Sequence, residues 1–142
     1  MQHFEREDRG LKGKQAEPSP GTDRDRATAP EDRLEASRAI VCRRCETEVS
    51  SARHIFAPLG ESAIAAYANP SGHLREVLAV REAWSLDLQG WSTSDFTWFP
   101  GYAWRIAHCA GCATHVGWCF EAEGTSEPPR FFGLLTAAVV ER

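Results

Sequence analysis

Residues 96–120 read FTWFPGYAWRIAHCAGCATHVGWCF, and the order of their parts decides the fold. Tyr102–His108 and Thr114–Phe120 are runs of apolar, β-branched and aromatic residues, the composition of strands. Between them stands Cys109-Ala110-Gly111-Cys112. A C-x-x-C turn brings two thiolates close enough to share one metal ion. Gly111 suits the tight turn that this requires. A matching pair, Cys42-Arg43-Arg44-Cys45, lies far upstream. Two such turns complete a tetrahedron, so Cys42, Cys45, Cys109 and Cys112 are expected to hold one structural zinc per chain. The pairs lie much farther apart than the roughly 15–20 residues of a compact zinc ribbon. The ion therefore clamps distant parts of the chain together and closes a long loop. Four thiolates leave no position for a water, which argues against catalysis at the metal. Arg43 and Arg44 place positive charge beside thiolates and offset the negative centre. The competing readings are two redox pairs or unrelated free thiols, with His108 and His115 as substitute ligands. The fifth cysteine, Cys119, reads as a small buried hydrophobe.

The same stretch carries Trp98, Trp104 and Trp118, three of the five tryptophans. Strand parity limits how they can meet. A two-residue loop at Pro100-Gly101 would set Trp98 opposite Ala103, and Trp98 and Trp104 would face opposite sides. An odd loop centred on Gly101, or an irregular segment at Trp98, is needed for both rings to share a face. Trp118 and Phe120 share a face by alternation, and Gly117 removes a neighbouring side chain and gives a ring room to approach. These rings are either plain core or an open aromatic cage for flat rings or quaternary cations. Composition and spacing leave both open.

Working outward, the composition shifts near residue 39. Residues 1–38 hold nine acids and eight bases with few large apolar residues, and PSPGTDRDRATAPEDR is rich in proline and alternating charge. Such a segment cannot bury enough apolar surface to offset its ordering entropy, so 1–38 is expected to be a disordered tail, with a short helix possible over 31–38. Residues 39–142 read as one zinc-binding β domain. Expected strands are Ala39–Val41, His54–Ala57, His73–Ala83, Phe96–Phe99, Tyr102–His108, Thr114–Phe120 and Phe131–Ala137. Ala63–Ala68 reads as strand or helix, and Asn69-Pro70-Ser71-Gly72 as a turn. A domain of this size gains stability from a metal. The net charge of −4, with no lysine after Lys14, speaks against nucleic acid and anionic membrane. No apolar run approaches a membrane span, and MQHFEREDRG has no secretory core, so a reducing cytoplasmic setting is the default.

Phe96-Thr97-Trp98-Phe99-Pro100-Gly101-Tyr102-Ala103-Trp104, Cys109-Ala110-Gly111-Cys112, His115-Val116-Gly117-Trp118 and Phe132-Gly133-Leu134 closely resemble the CULT domain, the thalidomide-binding domain of cereblon. Single-domain bacterial cereblon homologues are similar too. The resemblance spans about residues 39–137. It implies a mainly β architecture, the β-tent: two antiparallel sheets, roughly perpendicular, pinned by a four-cysteine zinc site. It implies a ligand pocket walled by Trp98, Trp104, Trp118 and Phe120, flanked by Asn69 and Pro70. Its ligands are cyclic imides: the glutarimide of thalidomide-type compounds, C-terminal cyclic imides of damaged proteins, and uridine-like rings. In that pocket the backbone carbonyl of Phe96 and the N–H of Trp98 would meet the imide edge. Animal cereblon has His where this chain has Phe96, an exchange that a backbone contact tolerates. Cereblon's Lon-like domain and adaptor-binding segment have no room in this chain, so a ubiquitin-ligase role is not expected. A monomeric, non-catalytic binding module follows. The rival enzyme reading is a relative of B-type methionine sulfoxide reductases that has lost its catalytic cysteine, since Phe132 stands where the nucleophile would be. A methyl-lysine cage would need a carboxylate, for which Asp95 is the nearest candidate.

Overall fold

The computed structural model describes residues 38–142. The expected tail and most of its short helix lie outside them. Nine strands run through the described residues: β1 (Ala39–Cys42), β2 (Glu48–Ser51), β3 (Ile64–Ala68), β4 (Leu74–Val80), β5 (Leu86–Thr93), β6 (Tyr102–Cys109), β7 (His115–Ala122), β8 (Arg130–Leu135) and β9 (Val139–Glu141). They form two antiparallel sheets, a small one in the order β2-β1-β9 and a large one in the order β3-β4-β8-β7-β6-β5. The fold is mainly β with two sheets, as expected.

Alternation sorts the core into two layers. Along β4, Leu78 and Val80 belong to one cluster, while Val77 and Ala79 belong to the other. Along β8, Phe132 and Leu134 go one way and Phe131 and Leu135 the other. Ile40, Val49 and Val139 of the small sheet join the first cluster, so the small sheet covers one face of the large one. Phe99, Tyr102, Trp118, Phe120 and Phe131 make the second, largely aromatic layer on the opposite face. Phe120 and Phe131 are each about 1% exposed and stack at 5.0 Å. Burial of each ring contributes on the order of 2–3 kcal/mol.

Several local expectations change. His54–Ala57 is not a strand: Ala52–His54 is a 3-10 turn, and Ile55 makes a single bridge to Val80. Phe96–Phe99 is not a strand either: Phe96 takes a left-handed φ of 58°, outside the extended region. Ala63–Ala68 resolves to strand through the pairing of β3 with β4. Three strands had no forecast. β2 is short and buries Ser50 and Ser51. β5 is broken by a bulge at left-handed Gly90. β9 is three residues long and buries Glu141, which pairs with Arg38 at 2.9 Å. Arg38, the last residue of the expected tail, is thus tied to the fold. No helix among the described residues is long and apolar enough to cross a membrane.

Candidate metal centre and aromatic recess

The first cysteine pair follows β1 of the small sheet, and the second joins β6 to β7 of the large one. The four Sγ atoms lie within 4.8 Å of one another. Cys42 Sγ is 3.6 Å from Cys112 Sγ, and Cys45 Sγ is 3.5 Å from Cys109 Sγ. A tetrahedral zinc with bonds of ~2.3 Å sets sulfurs about 3.8 Å apart, so the donor set fits such an ion. The site is therefore a four-cysteine metal centre that fastens one sheet to the other, and its chemistry suits structural zinc.

The two turns are near copies. In the first, Cys42 N–H donates to Thr47 O (2.9 Å) and Glu46 N–H to Cys42 O (2.8 Å). In the second, Cys109 N–H donates to Thr114 O (2.8 Å) and Ala113 N–H to Cys109 O (2.7 Å). Glu46 and Ala113 both take left-handed φ, at 66° and 68°. Thr47 Oγ1 sits 3.1 Å from Cys45 Sγ, and Thr114 Oγ1 sits 3.0 Å from Cys112 Sγ. Bonding from Thr114 draws the Cys112 thiol down to about 6, and Thr47 lowers that of Cys45. Burial pushes Cys42 the other way, to about 11. The repeated unit is thus C-x-x-C-x-T, a pattern present in the sequence but easily overlooked beside the cysteines. Gly111 has no left-handed φ. A Cβ there would overlap Thr47 Oγ1 and come within 3.1 Å of Cys45 Sγ. Its bareness lets the two knuckles meet and is not a requirement of its own turn.

The aromatic layer opens into a recess lined by Asn69, Pro70, Phe96, Trp98, Trp104, Trp118 and Phe120. It holds about 340 Å³ of space that merges with solvent. All seven residues singled out in the sequence for a ligand pocket meet here. Trp104 pairs with Phe120 across β6 and β7, and Ile106 pairs with Trp118, so these four share a face. Trp98 arrives differently. Phe99-Pro100-Gly101-Tyr102 is a turn closed by Tyr102 N–H to Phe99 O at 3.0 Å, with Gly101 at φ 94°. Pro then Gly at the central positions suits a type II turn. The segment before it is irregular, which is one of the two conditions for a shared face. Trp98 leans across to the end of β3, where its indole N–H donates to Ala68 O at 2.8 Å. It stacks on Tyr67 at 5.1 Å and meets Trp118 edge-on at 4.8 Å. Trp104 donates its indole N–H to Asp95 O at 2.8 Å. Both donors are thus spent on fixing rings as walls. Asp95 contributes its backbone and does not line the recess.

Behind the walls, His115 packs edge-on against Trp118 at 4.9 Å. Its Nε2 lies 3.1 Å from Gly117 O, which can only accept, so Nε2 carries the proton. Burial lowers the pKa of this ring. Gly117 is needed for strand approach, since a Cβ there would overlap Gly133 O. Gly133 makes room for Val77, whose Cγ1 would lie 2.6 Å from an added Cβ, and for Phe120, whose Cε2 would lie 3.1 Å from it. Side-chain room, for a ring and for Val77, is therefore given by Gly133, whereas Gly117, expected to give a ring room, lets β7 and β8 approach.

Three polar groups belong to the residues that line the recess. Asn69 Oδ1 is held by Ser71 N (3.1 Å), Ser71 Oγ (2.8 Å) and His73 N (3.0 Å), leaving its amide NH2 as the uncommitted end. The carbonyl of Phe96 and the N–H of Trp98 have no hydrogen-bond partner among the described residues. Phe96 itself is 73% exposed at the rim. Cys119 lies on the other face of β7, inside the inter-sheet core. Burial pushes its thiol up to about 11.

No family model matches the chain. Curated relatives do. The chain is 40% identical over 111 residues to cereblon of Danio rerio, covering 77% of this chain and 26% of the relative. It is 39% identical over 106 residues to cereblon of Gallus gallus, covering 73% and 24%. It is 38% identical over 106 residues to cereblon of Xenopus tropicalis, again covering 73% and 24%. The chain spans about a quarter of the length of these relatives.

Proposed function

We propose that this chain, whose folded part is a cereblon-like domain of the CULT type, is a non-catalytic receptor for cyclic imides. The ligand class comprises glutarimides of the thalidomide type and polypeptides ending in a cyclic imide, with uridine-like rings sharing the same polar edge. One observation carries the reading. Four aromatic walls surround a recess at which a main-chain acceptor, Phe96 C=O, and a main-chain donor, Trp98 N–H, have no partner within the described residues.

A glutarimide offers what that edge lacks. Its N–H would donate to Phe96 O, one carbonyl would accept from Trp98 N–H, and the other would accept from the amide of Asn69. The ring would pack on indole faces by dispersion. Once a bound ring displaces water from the recess, each group left unpaired costs about 1–3 kcal/mol, so an imide is favoured over a lactam that lacks one carbonyl. Phe96 is held at a left-handed φ, the kind of backbone strain that gathers at ligand sites. The exchange of His for Phe at this position leaves the carbonyl in place. The metal centre serves the recess indirectly, by anchoring the turn between the strands that carry Trp104 and Trp118.

The enzyme reading has little support. By the resemblance to B-type methionine sulfoxide reductases Phe132 stands where the nucleophile would be, and Cys119, its cross-strand partner on the same face, is buried in the inter-sheet core with its thiol protonated at neutral pH. Calorimetric titration of the zinc-loaded chain with glutarimide, and with the matching lactam, tests the proposal. Micromolar binding of the imide, at least tenfold weaker binding of the lactam, and loss of both in Trp104→Ala are expected. Equal affinity of wild type and Trp104→Ala would refute it.

A further inference from the structure

Trp91 is 93% exposed, the most exposed large apolar residue among those described. A solvated indole that packs on nothing is an informative departure from ordinary surface composition. Its position is set by the edge strand. Gln89 pairs with Ile106 and Thr93 pairs with Trp104, so four steps along β5 span two steps along β6. The extra length forms a bulge at left-handed Gly90, and bulges re-aim side chains.

The direction in which Trp91 is aimed follows from its neighbour. Ser92 Oγ donates to Glu121 Oε1 at 3.0 Å. Glu121 pairs with Ala103, whereas Phe120 pairs with Trp104, so Glu121 lies on the face away from the recess. Ser92 therefore faces away from the recess. Alternation then turns Trp91 and Thr93 toward the recess face; Thr93 pairs with Trp104, and Trp91 stands two residues before it on β5, outside the lining of the recess itself. Phe96, 73% exposed, lines the recess that Trp104 walls.

We infer that Trp91 is a specificity-determining contact for the part of the ligand that lies outside the imide ring, and that this part is the polypeptide preceding a C-terminal cyclic imide. The inference rests on the imide reading of the recess. A free imide is covered by Trp98, Trp104 and Trp118 and has no use for a second aromatic step on the same face. A peptide must leave through the mouth, and its last ordinary residue passes the rim. An apolar side chain there would settle between Phe96 and Trp91 and remove both rings from water. The site would then read a ring together with the residue before it.

The test uses the full chain loaded with zinc, and peptides whose C-terminal residue is an aminoglutarimide. One peptide has Leu before the ring and one has Gly. Free glutarimide is the third ligand. Binding is followed by calorimetry for wild type and Trp91→Ser. The Leu peptide is expected to bind wild type about tenfold tighter than the Gly peptide, with this gain lost in Trp91→Ser and free glutarimide bound equally by both. A gain that survives Trp91→Ser, or no gain in wild type, overturns the inference while leaving the imide reading intact. No binding of free glutarimide by wild type overturns both. Sedimentation at rising concentration without ligand supplies the remaining arm: self-association of wild type that Trp91→Ser abolishes would assign the indole to a second copy and overturn the inference.

Discussion

Replacing Gly111 with Ala should weaken the metal centre for a reason that a double-mutant cycle can expose. The added Cβ would overlap Thr47 Oγ1 and lie 3.1 Å from Cys45 Sγ, both on the other knuckle. The least disruptive relief is rotation of Thr47, which gives up its contact with Cys45 Sγ at 3.1 Å. A hydrogen bond to a charged acceptor such as a metal-bound thiolate is worth about 1.5–3 kcal/mol. Gly111→Ala should therefore lower zinc affinity by roughly 10- to 150-fold. Thr47→Ala removes the same bond and should cost a similar amount. In Thr47→Ala the obstructing oxygen is gone, and what remains is the tight approach to Cys45 Sγ and an ordinary contact with the Cβ of residue 47 at 3.4 Å. Gly111→Ala added to Thr47→Ala should then cost less than about 1 kcal/mol, so the two changes are strongly non-additive. Competition with a zinc-binding indicator measures all four affinities. Additive losses would refute the reasoning, because they would mean that Gly111 serves its own turn and not the contact between knuckles.

Two further outcomes follow from the strands behind the recess. Gly117→Ala drives a Cβ into Gly133 O, and such overpacking should cost about 1–3 kcal/mol, lowering Tm by roughly 4–8 °C per kcal/mol; an unchanged thermal midpoint would show that β7 and β8 can part freely. Cys119, with its thiol raised to about 11 by burial, carries no more than about 1% thiolate up to pH 9, so in the zinc-loaded native chain it should resist iodoacetamide from pH 7 to 9 and react only on unfolding; rapid native labelling followed by mass spectrometry would contradict its placement.

The cysteine quartet was legible because metal chemistry fixes residue type and local spacing, whatever the intervening fold. The repeated threonine was equally present, yet Thr47 and Thr114 gain meaning only when each hydroxyl is seen beside a sulfur. The recess residues were legible mainly through resemblance, since tryptophans at this spacing serve a closed core as readily as a cage. Strands β2, β5 and β9 escaped because short or bulged strands carry little periodic signal. β2 hides polar serines, β5 breaks at Gly90, and β9 buries a glutamate that pairs with Arg38.

By itself, then, the chain from Phe96 to Phe120 determined a strand, a metal turn and a second strand, together with a Pro-Gly corner before them, because these are local matters of backbone and ligand chemistry. Which way the rings point was decided by tertiary structure. Simple alternation would put Val116 on the face of Trp118, but a register shift opposite Ala107 and His108 sends Val116 into the inter-sheet core and Trp118 into the recess. Trp98 is held at that recess by Ala68, thirty positions upstream, which accepts its indole N–H, and by the stacked ring of Tyr67. A sequence specifies side chains one after another, whereas a wall is made by whichever distant strands hydrogen bonding and burial bring to the same side.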